Sequence, residues 1–408
     1  MEMRRLLPYG FALIYALLPV FPAFIALTSV AFPGITVVPM PVAFAALAAI
    51  GVLAVYAATM LLRYPLRGSQ PLLLPLLAWI VCATISTLAG FDPPHGLFFL
   101  GLSAMGILWH CALMRFYAER GVPLAIFWSY LATGTLAAAV AIAMVASRTP
   151  ASLYALAHGR ATGTFVLPGE LAGYLVALLP IAVTLTRLAP SAALRALSWA
   201  ATAVGLVALA LTYSRAGWIG AAAAAAFLML TQARRLRASV VAAAAVSAVA
   251  AVAVLLLFNS HHDPSEDYTR IAIWQAAAAI VDRFPLTGVG PFDFPRLYAL
   301  VHVPDADATA FHAHSLYLTL FAELGVLGLT AFLWNLWTFA RELRARVAHA
   351  PPAAAAIALA VAAGLVGVAV QGLIDTVSIV IFGLWMPAMG LALAAARSDW
   401  PNAEREAA

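Results

Sequence analysis

The segment VVAAAAVSAVAAVAVLLLF (240–258) gives way to NSHHDPSEDYTRIAIWQAAAAIVDRFPLTGVGPFDFPRLYALVHVPDADATAFHA (259–313), and that in turn to HSLYLTLFAELGVLGL (314–329). The first segment carries no charge, and an apolar run of about 20 residues is long enough to cross a bilayer as a helix. The second breaks the pattern. Its 55 residues hold Asp263, Glu266, Asp267, Arg270, Asp282, Arg283, Asp293, Arg296, Asp305 and Asp307, with His261, His262, His302 and His312. The third is apolar again from its first residues. The chain therefore leaves the membrane at Asn259 and returns at His314. In so apolar a protein, a polar insert that ends on a histidine at the mouth of a new helix is the first place to look for chemistry.

Outward from this stretch the rest of the chain reads as scaffold. Of 408 residues, 64% are hydrophobic and only 10% charged, against roughly 25% charged in soluble domains. Repeated apolar runs predict an all-α, polytopic membrane protein of about twelve transmembrane helices. The expected spans are 9–31, 41–62, 71–90, 97–114, 122–146, 167–186, 194–212, 216–232, 239–258, 315–338, 352–373 and 378–396. Residues 1–408 form one integral membrane domain, with 259–313 a loop inserted between helices 9 and 10. The run from Phe11 to Phe32 is read as a span and not as a cleavable leader. Cys82 and Cys111 fall inside apolar runs and read as packing residues. Alanine-rich stretches such as Gly220–Phe227 suit close helix packing in lipid. No internal repeat is evident.

All 22 basic residues are arginine. With the N-terminus in the cytoplasm, 16 of the 22 fall on the cytoplasmic side, as the positive-inside rule asks. Both termini are then cytoplasmic and the 55-residue loop is external, in the periplasm of a Gram-negative cell. The net charge of +5 is spread over loops with no basic face, which argues against nucleic acid as a partner. Six arginines oppose the trend: Arg148, Arg160, Arg215, Arg270, Arg283 and Arg296. Arg148, Arg283 and Arg296 have ordinary explanations as headgroup contacts or solvated loop charges. Arg215 stands in a link of about three residues, TYSRAGW (212–218), where a positive charge works against the topology. It, Arg160 and Arg270 are the candidates for an anionic ligand.

Within the loop, RIAIWQAAAAIVDR (270–283) reads as a helix lying on the membrane or against the bundle, with Asp267 as its N-cap. Arg270 and Trp274, four apart, share a face. Gly288 and Gly290 mark a turn, not a phosphate loop. His312-x-His314 invites a metal, but no spacing here matches a zinc signature, and none is expected. His314 differs from the other histidines because it directly precedes a span. Glu323, nine residues on, is an ionisable group inside a span and by default a functional candidate; at about 100° per residue it faces away from His314, which argues against a dyad and for a structural bond. Glu170, after Pro168-Gly169, is placed to pair with Arg160 or to bind a sugar hydroxyl. Asp375, in the short link before the last span, reads as a helix-end hydrogen bond.

RATGTFVLPGEL (160–171), TYSRAGW (212–218), RIAIWQ (270–275) with PLTGVGPFDF (285–294), and HSLYLTLFAELGVLGL (314–329) resemble, in this order, the O-antigen ligase/O-antigen polymerase superfamily. The resemblance covers roughly 155–335. Glu170 stands where many members have asparagine, and Ser315 where asparagine is common. The resemblance implies a glycosyltransferase of the bacterial inner membrane with its active site facing the periplasm. It would move a glycan from undecaprenyl diphosphate onto lipid A–core, with inversion and without metal, nucleotide or other cofactor. Its partners are then the undecaprenyl-diphosphate-linked glycan, lipid A–core and membrane lipids. His314 and Arg215 become catalytic, with Arg160, Arg270, Glu170, Trp274 and His312 binding substrate. An O-antigen polymerase or a protein O-oligosaccharyltransferase shares this chemistry. A secondary transporter is the rival from another class, although the chain lacks the internal repeat and midplane sites of that class.

Overall fold

The computed structural model describes residues 10–11, 16, 55–63, 70–117, 121–165, 167–232, 264–302, 310, 312–376 and 384–397. Its helices are α1 (Leu73–Ala89), α2 (Pro93–Phe116), α3 (Ala125–Ser147), α4 (Ala151–Leu156), α5 (Pro168–Leu188), α6 (Ala192–Leu211), α7 (Arg215–Gln232), α8 (Pro264–Arg283), α9 (Phe294–Val301), α10 (Leu316–Val347), α11 (Pro352–Gln371) and α12 (Trp385–Ala395). No strand occurs among the described residues. Helices α2, α3, α5, α6, α10 and α11 are long and apolar enough to cross a membrane, and α1, α12 and residues 215–231 of α7 are shorter apolar helices. Nine of the expected spans fall on these nine helices. The expected spans at 9–31 and 239–258, and most of that at 41–62, lie outside the described residues.

Helix starts follow local chemistry. Prolines open α2, α5 and α11, where a missing N–H costs nothing. Ser191 caps α6 by accepting the Leu194 N–H at 3.2 Å, and Ser214 takes the Gly217 N–H at 3.1 Å at the start of α7. The alanine-rich α7 packs extensively on α11, and α11 on α5, as small residues in lipid allow. At the bundle centre Trp79, Phe332 and Trp385 meet edge to face, with Trp385 centroids 5.7 Å from Trp79 and 5.1 Å from Phe332. The Trp79 indole N–H is satisfied by Ser103 Oγ at 3.1 Å.

Two expectations about element ends need correction. α10 does not stop at 338 but continues to Val347, so Arg341, Arg344 and Arg346 sit on helix and not on a link. α8 begins at Pro264, which places Asp267 in the first turn; it is not the N-cap.

The links at 90–92, 148–150, 157–165, 212–214, 284–293 and 372–375 gather at one end of the bundle. Phe91 N–H bonds Val289 O, Val289 N–H bonds Ala322 O, Leu316 N–H bonds Gly372 O, and Ala161 N–H bonds Leu211 O. Gln371 Nε2 donates to Gly169 O at 3.1 Å. The segment after α8 is tied down here. Glu323, buried in α10, accepts the backbone N–H groups of Phe292 and Phe294, and its own carbonyl accepts Ser86 Oγ at 2.7 Å. Asp293 Oδ2 accepts the N–H groups of Phe91 at 3.0 Å and Asp92 at 2.9 Å. Gly288, at φ +67°, lies flat against the Glu323–Leu324 backbone, where a Cβ would collide. The turn expected at Gly288 and Gly290 is therefore present, and Glu323 is a structural anchor.

α8 explains how a loop helix can serve both packing and a site. Ile273, Ala276, Ala277 and Ile280 form one helical stripe and pack with Val289, Phe294, Leu297, Tyr298, Ala313 and Ala322 in a small core of their own. Asp267, Arg270, Ile271 and Trp274 form a second stripe, turned about 120° from the first by the helical repeat. The first stripe fixes the helix on the bundle, and the second is left facing a cavity.

Candidate active site

That cavity has a volume of about 340 Å³ and is lined by Arg215, Ile219, Asp267, Arg270, Ile271, Trp274 and Ile374. Three separate parts of the chain build it. α7 contributes Arg215 and, one turn on, Ile219. α8 contributes its second stripe. The link after α11 contributes Ile374. Arg270 and Trp274 share the face that their spacing predicts.

Arg215 is the first residue of α7, directly after the three-residue link 212–214. The link is tight because Tyr213 takes a left-handed conformation (φ 49°) and Thr212 Oγ1 accepts the Ser214 N–H at 3.2 Å. Trp218 Nε1 donates to Leu209 O at 3.1 Å, closing α7 on α6. Both terminal nitrogens of Arg215 meet the Asp267 carboxylate. A planar guanidinium held by a carboxylate through two donors is well oriented. Arg270 reaches across to Ile374 O at 3.4 Å. Arg160 donates Nε–H to Thr212 O at 2.8 Å, tying the 157–165 segment to the same link that positions Arg215.

His314 lies just before α10, with φ +46°. Its N–H donates to Nδ1 of His312 at 3.2 Å, so His312 carries its proton on Nε2. The two rings stand 4.5 Å apart at 71°. Burial pulls His312 down to about 4, with the charge of Arg270 adding to the effect. Burial first, then His312 and Arg270, pull His314 down to about 3. Both imidazoles are neutral at ordinary pH.

Asp375, read from sequence as a helix-end bond, faces His314: its Oδ1 is 4.0 Å from His314 Nδ1. That is beyond hydrogen-bond length, so the two groups oppose each other across a gap. Asp375 also accepts its neighbour Thr376 N–H at 2.8 Å, as the helix-end reading expects. Burial raises its pKa, while Arg270 and Arg160 act against the rise and Glu170 adds to it. Gly169 makes room for it: a Cβ there would stand 2.7 Å from Asp375 Oδ2. Glu170, in the first turn of α5, turns its Oε2 back to the Leu167 N–H at 3.3 Å.

Arg215, Arg270 and Trp274 thus share one cavity, and Arg160, Glu170, His312 and His314 cluster around Asp375 beside it. Sequence reasoning undervalued Asp375 and missed Asp267 as a partner of Arg215. The available signal was an aspartate in a short link on the same side as three unexplained arginines. Elsewhere, Asp92, His95 and Asp293 bring possible metal-ligand atoms within 4.8 Å of one another. Neither His312 nor His314 belongs to that group, whose Asp92 also meets Arg296 at 3.5 Å. No curated protein matches the chain. The family model described as O-antigen ligase matches residues 200–333. This stretch, a third of the chain, holds Arg215, Asp267, Arg270, Trp274, His312 and His314, and in it the chain is similar to the O-antigen ligase family.

Proposed function

We propose that the chain is an inverting, metal-independent O-antigen ligase. It transfers a glycan from undecaprenyl diphosphate to lipid A–core, at a site facing the periplasm from the inner membrane. The observation that carries this reading is the cavity itself: two arginines from different elements on walls otherwise rich in Ile219, Ile271, Trp274 and Ile374. That combination suits a diphosphate attached to a prenyl chain. Six of the spans and the loop 259–313, placed outside by the arginine distribution, are consistent with it.

In the reaction the acceptor hydroxyl oxygen attacks the anomeric carbon on the face opposite the diphosphate. The bond from that carbon to the diphosphate oxygen breaks, and its electron pair leaves with the diphosphate. Arg215 and Arg270 neutralise the charge that develops there. The hydroxyl proton passes to His314, which is neutral and so able to accept it. Asp375 faces Nδ1, favouring the tautomer protonated there and leaving Nε2 for the acceptor. Arg160 holds the link that aims Arg215, Glu170 shapes the site from the start of α5, and His312 fixes the backbone of His314. Trp274 offers its indole face to the first sugar or prenyl unit.

The test is incubation of the purified protein with undecaprenyl-diphosphate glycan and rough lipopolysaccharide in the presence of chelator. The expected result is a mass increase of the lipopolysaccharide by one glycan. Elongation of the lipid-linked glycan instead would make the protein a polymerase, and loss of activity in chelator would overturn the metal-free reaction. Arg215→Ala is expected to abolish transfer in folded protein. Arg215→Lys should recover little, because an ammonium lacks the planar two-donor fork.

A further inference from the structure

Among the described residues lining the cavity, Asp267 is the only acid. It is not spent on capping α8, because that helix starts three residues earlier. Its two oxygens take the two terminal nitrogens of Arg215, the arrangement a phosphate group would also take. Carboxylate and phosphate therefore compete for one face of one guanidinium. The Asp267 side chain is 47% exposed and that of Arg215 25%, so the carboxylate is the more solvent-facing of the two partners.

The chemistry of the reaction gives such a competitor a purpose. In the donor both ends of the diphosphate are esterified. When the bond to the anomeric carbon breaks, the leaving diphosphate keeps the electron pair and gains one negative charge. A site made of arginines alone binds this product more tightly than the donor, and turnover then stalls on release. We propose that Asp267 is a built-in competitor for the diphosphate: it occupies Arg215 in the empty site and reclaims it as the product departs, so that release is fast. This inference rests on the reading of Arg215 as a diphosphate ligand. Asp267 is here a positioning residue that never touches the reacting atoms.

The experiment uses the full-length protein in lipid nanodiscs, with undecaprenyl diphosphate as the binding probe. Wild type, Asp267→Asn, Asp267→Glu and Arg215→Ala are compared. Loss of a partly exposed ion pair is worth roughly two- to five-fold in an equilibrium constant. Asp267→Asn is expected to bind undecaprenyl diphosphate tighter by about that factor. Its multiple-turnover rate should fall more than its single-turnover rate, and product inhibition should strengthen. Asp267→Glu, which keeps the charge, should behave as wild type. If Asp267→Asn binds the probe no tighter than wild type while Arg215→Ala loses it, Asp267 is only a structural partner and the proposal fails. If Arg215→Ala binds the probe as well as wild type, the reading beneath the proposal fails with it.

Discussion

Two neighbouring regions at one end of the bundle hold acidic side chains, and they differ in what those side chains meet. Around the 284–294 turn, Glu323 accepts two backbone N–H groups and Asp293 accepts two more. Their oxygens are committed to main-chain N–H groups, so the acids act as clamps. Around the cavity, Asp375 and Asp267 meet the ionisable side chains of His314 and Arg215. Side chains can exchange partners with a ligand, and main-chain clamps cannot do so without unfolding the turn. An acidic side chain in this apolar chain marks a site where its partners are exchangeable, and marks scaffold where they are backbone.

His314→Ala gives the sharpest version of this contrast. It removes the proposed base but no main-chain clamp, so transfer should fall about 10²–10⁴-fold while the protein stays inserted and still binds the donor. Transfer assayed beside thermal unfolding checks both halves. Wild-type transfer would remove His314 from the reaction and leave Glu170 as the next candidate.

Glu323→Ala should do the reverse. It strands two buried N–H groups at about 1–3 kcal/mol each, so the yield of folded protein and its unfolding temperature should drop. Molecules that do fold should transfer at close to the normal rate per molecule. Glu323→Gln, which keeps one carbonyl acceptor, should be milder. A fully folded but inactive Glu323→Ala would break the comparison, because the clamp would then be part of the chemistry.

The contrast also marks where the sequence was legible. Nine apolar runs predicted nine of the observed helices, because the hydrophobic period alone decides a span. Arg215 stood out because its charge opposes the topology in a link too short to hide it. Gly288 and Gly290 were readable as a turn. Glu323 could be set apart from His314 by helical angle alone. What could not be read was pairing across the fold. Pro264 is a local start signal for α8 that the reading of Asp267 as a cap passed over, and nothing local shows that the helix turns that carboxylate towards α7. Asp375 and His314 are 61 positions apart and meet only because Leu316 N–H bonds Gly372 O and Asp375 O.

Asp375→Asn tests that pairing with a smaller expected effect. The amide keeps the shape and the Thr376 N–H bond but loses the charge that faces Nδ1 of His314. Transfer should drop about tenfold, the equivalent of roughly 1.4 kcal/mol in the barrier. The fall should appear in kcat with little change in KM, since the arginines are the proposed donor ligands. An unchanged kcat would reduce Asp375 to the helix-end bond that its sequence position predicts.

The smallest effect is expected from acid, and it follows from the charges around His314. In the empty protein burial, His312 and Arg270 hold its pKa at about 3, below the ordinary value near 6.5. The neutral, reactive form therefore persists as pH falls from 8 through 6.5 towards 5. Because kcat/KM reports groups of the free enzyme, it should show no acid limb from this histidine over that range. Arg270→Gln removes one positive neighbour, which stabilises the imidazolium and raises its pKa. The acid limb should then move up towards neutral pH, on top of weaker donor binding. A wild-type profile that falls with a midpoint near 6.5 would mean that His314 is solvated in the working protein. The enclosed geometry beside Asp375 would then not be the one in which the proton moves.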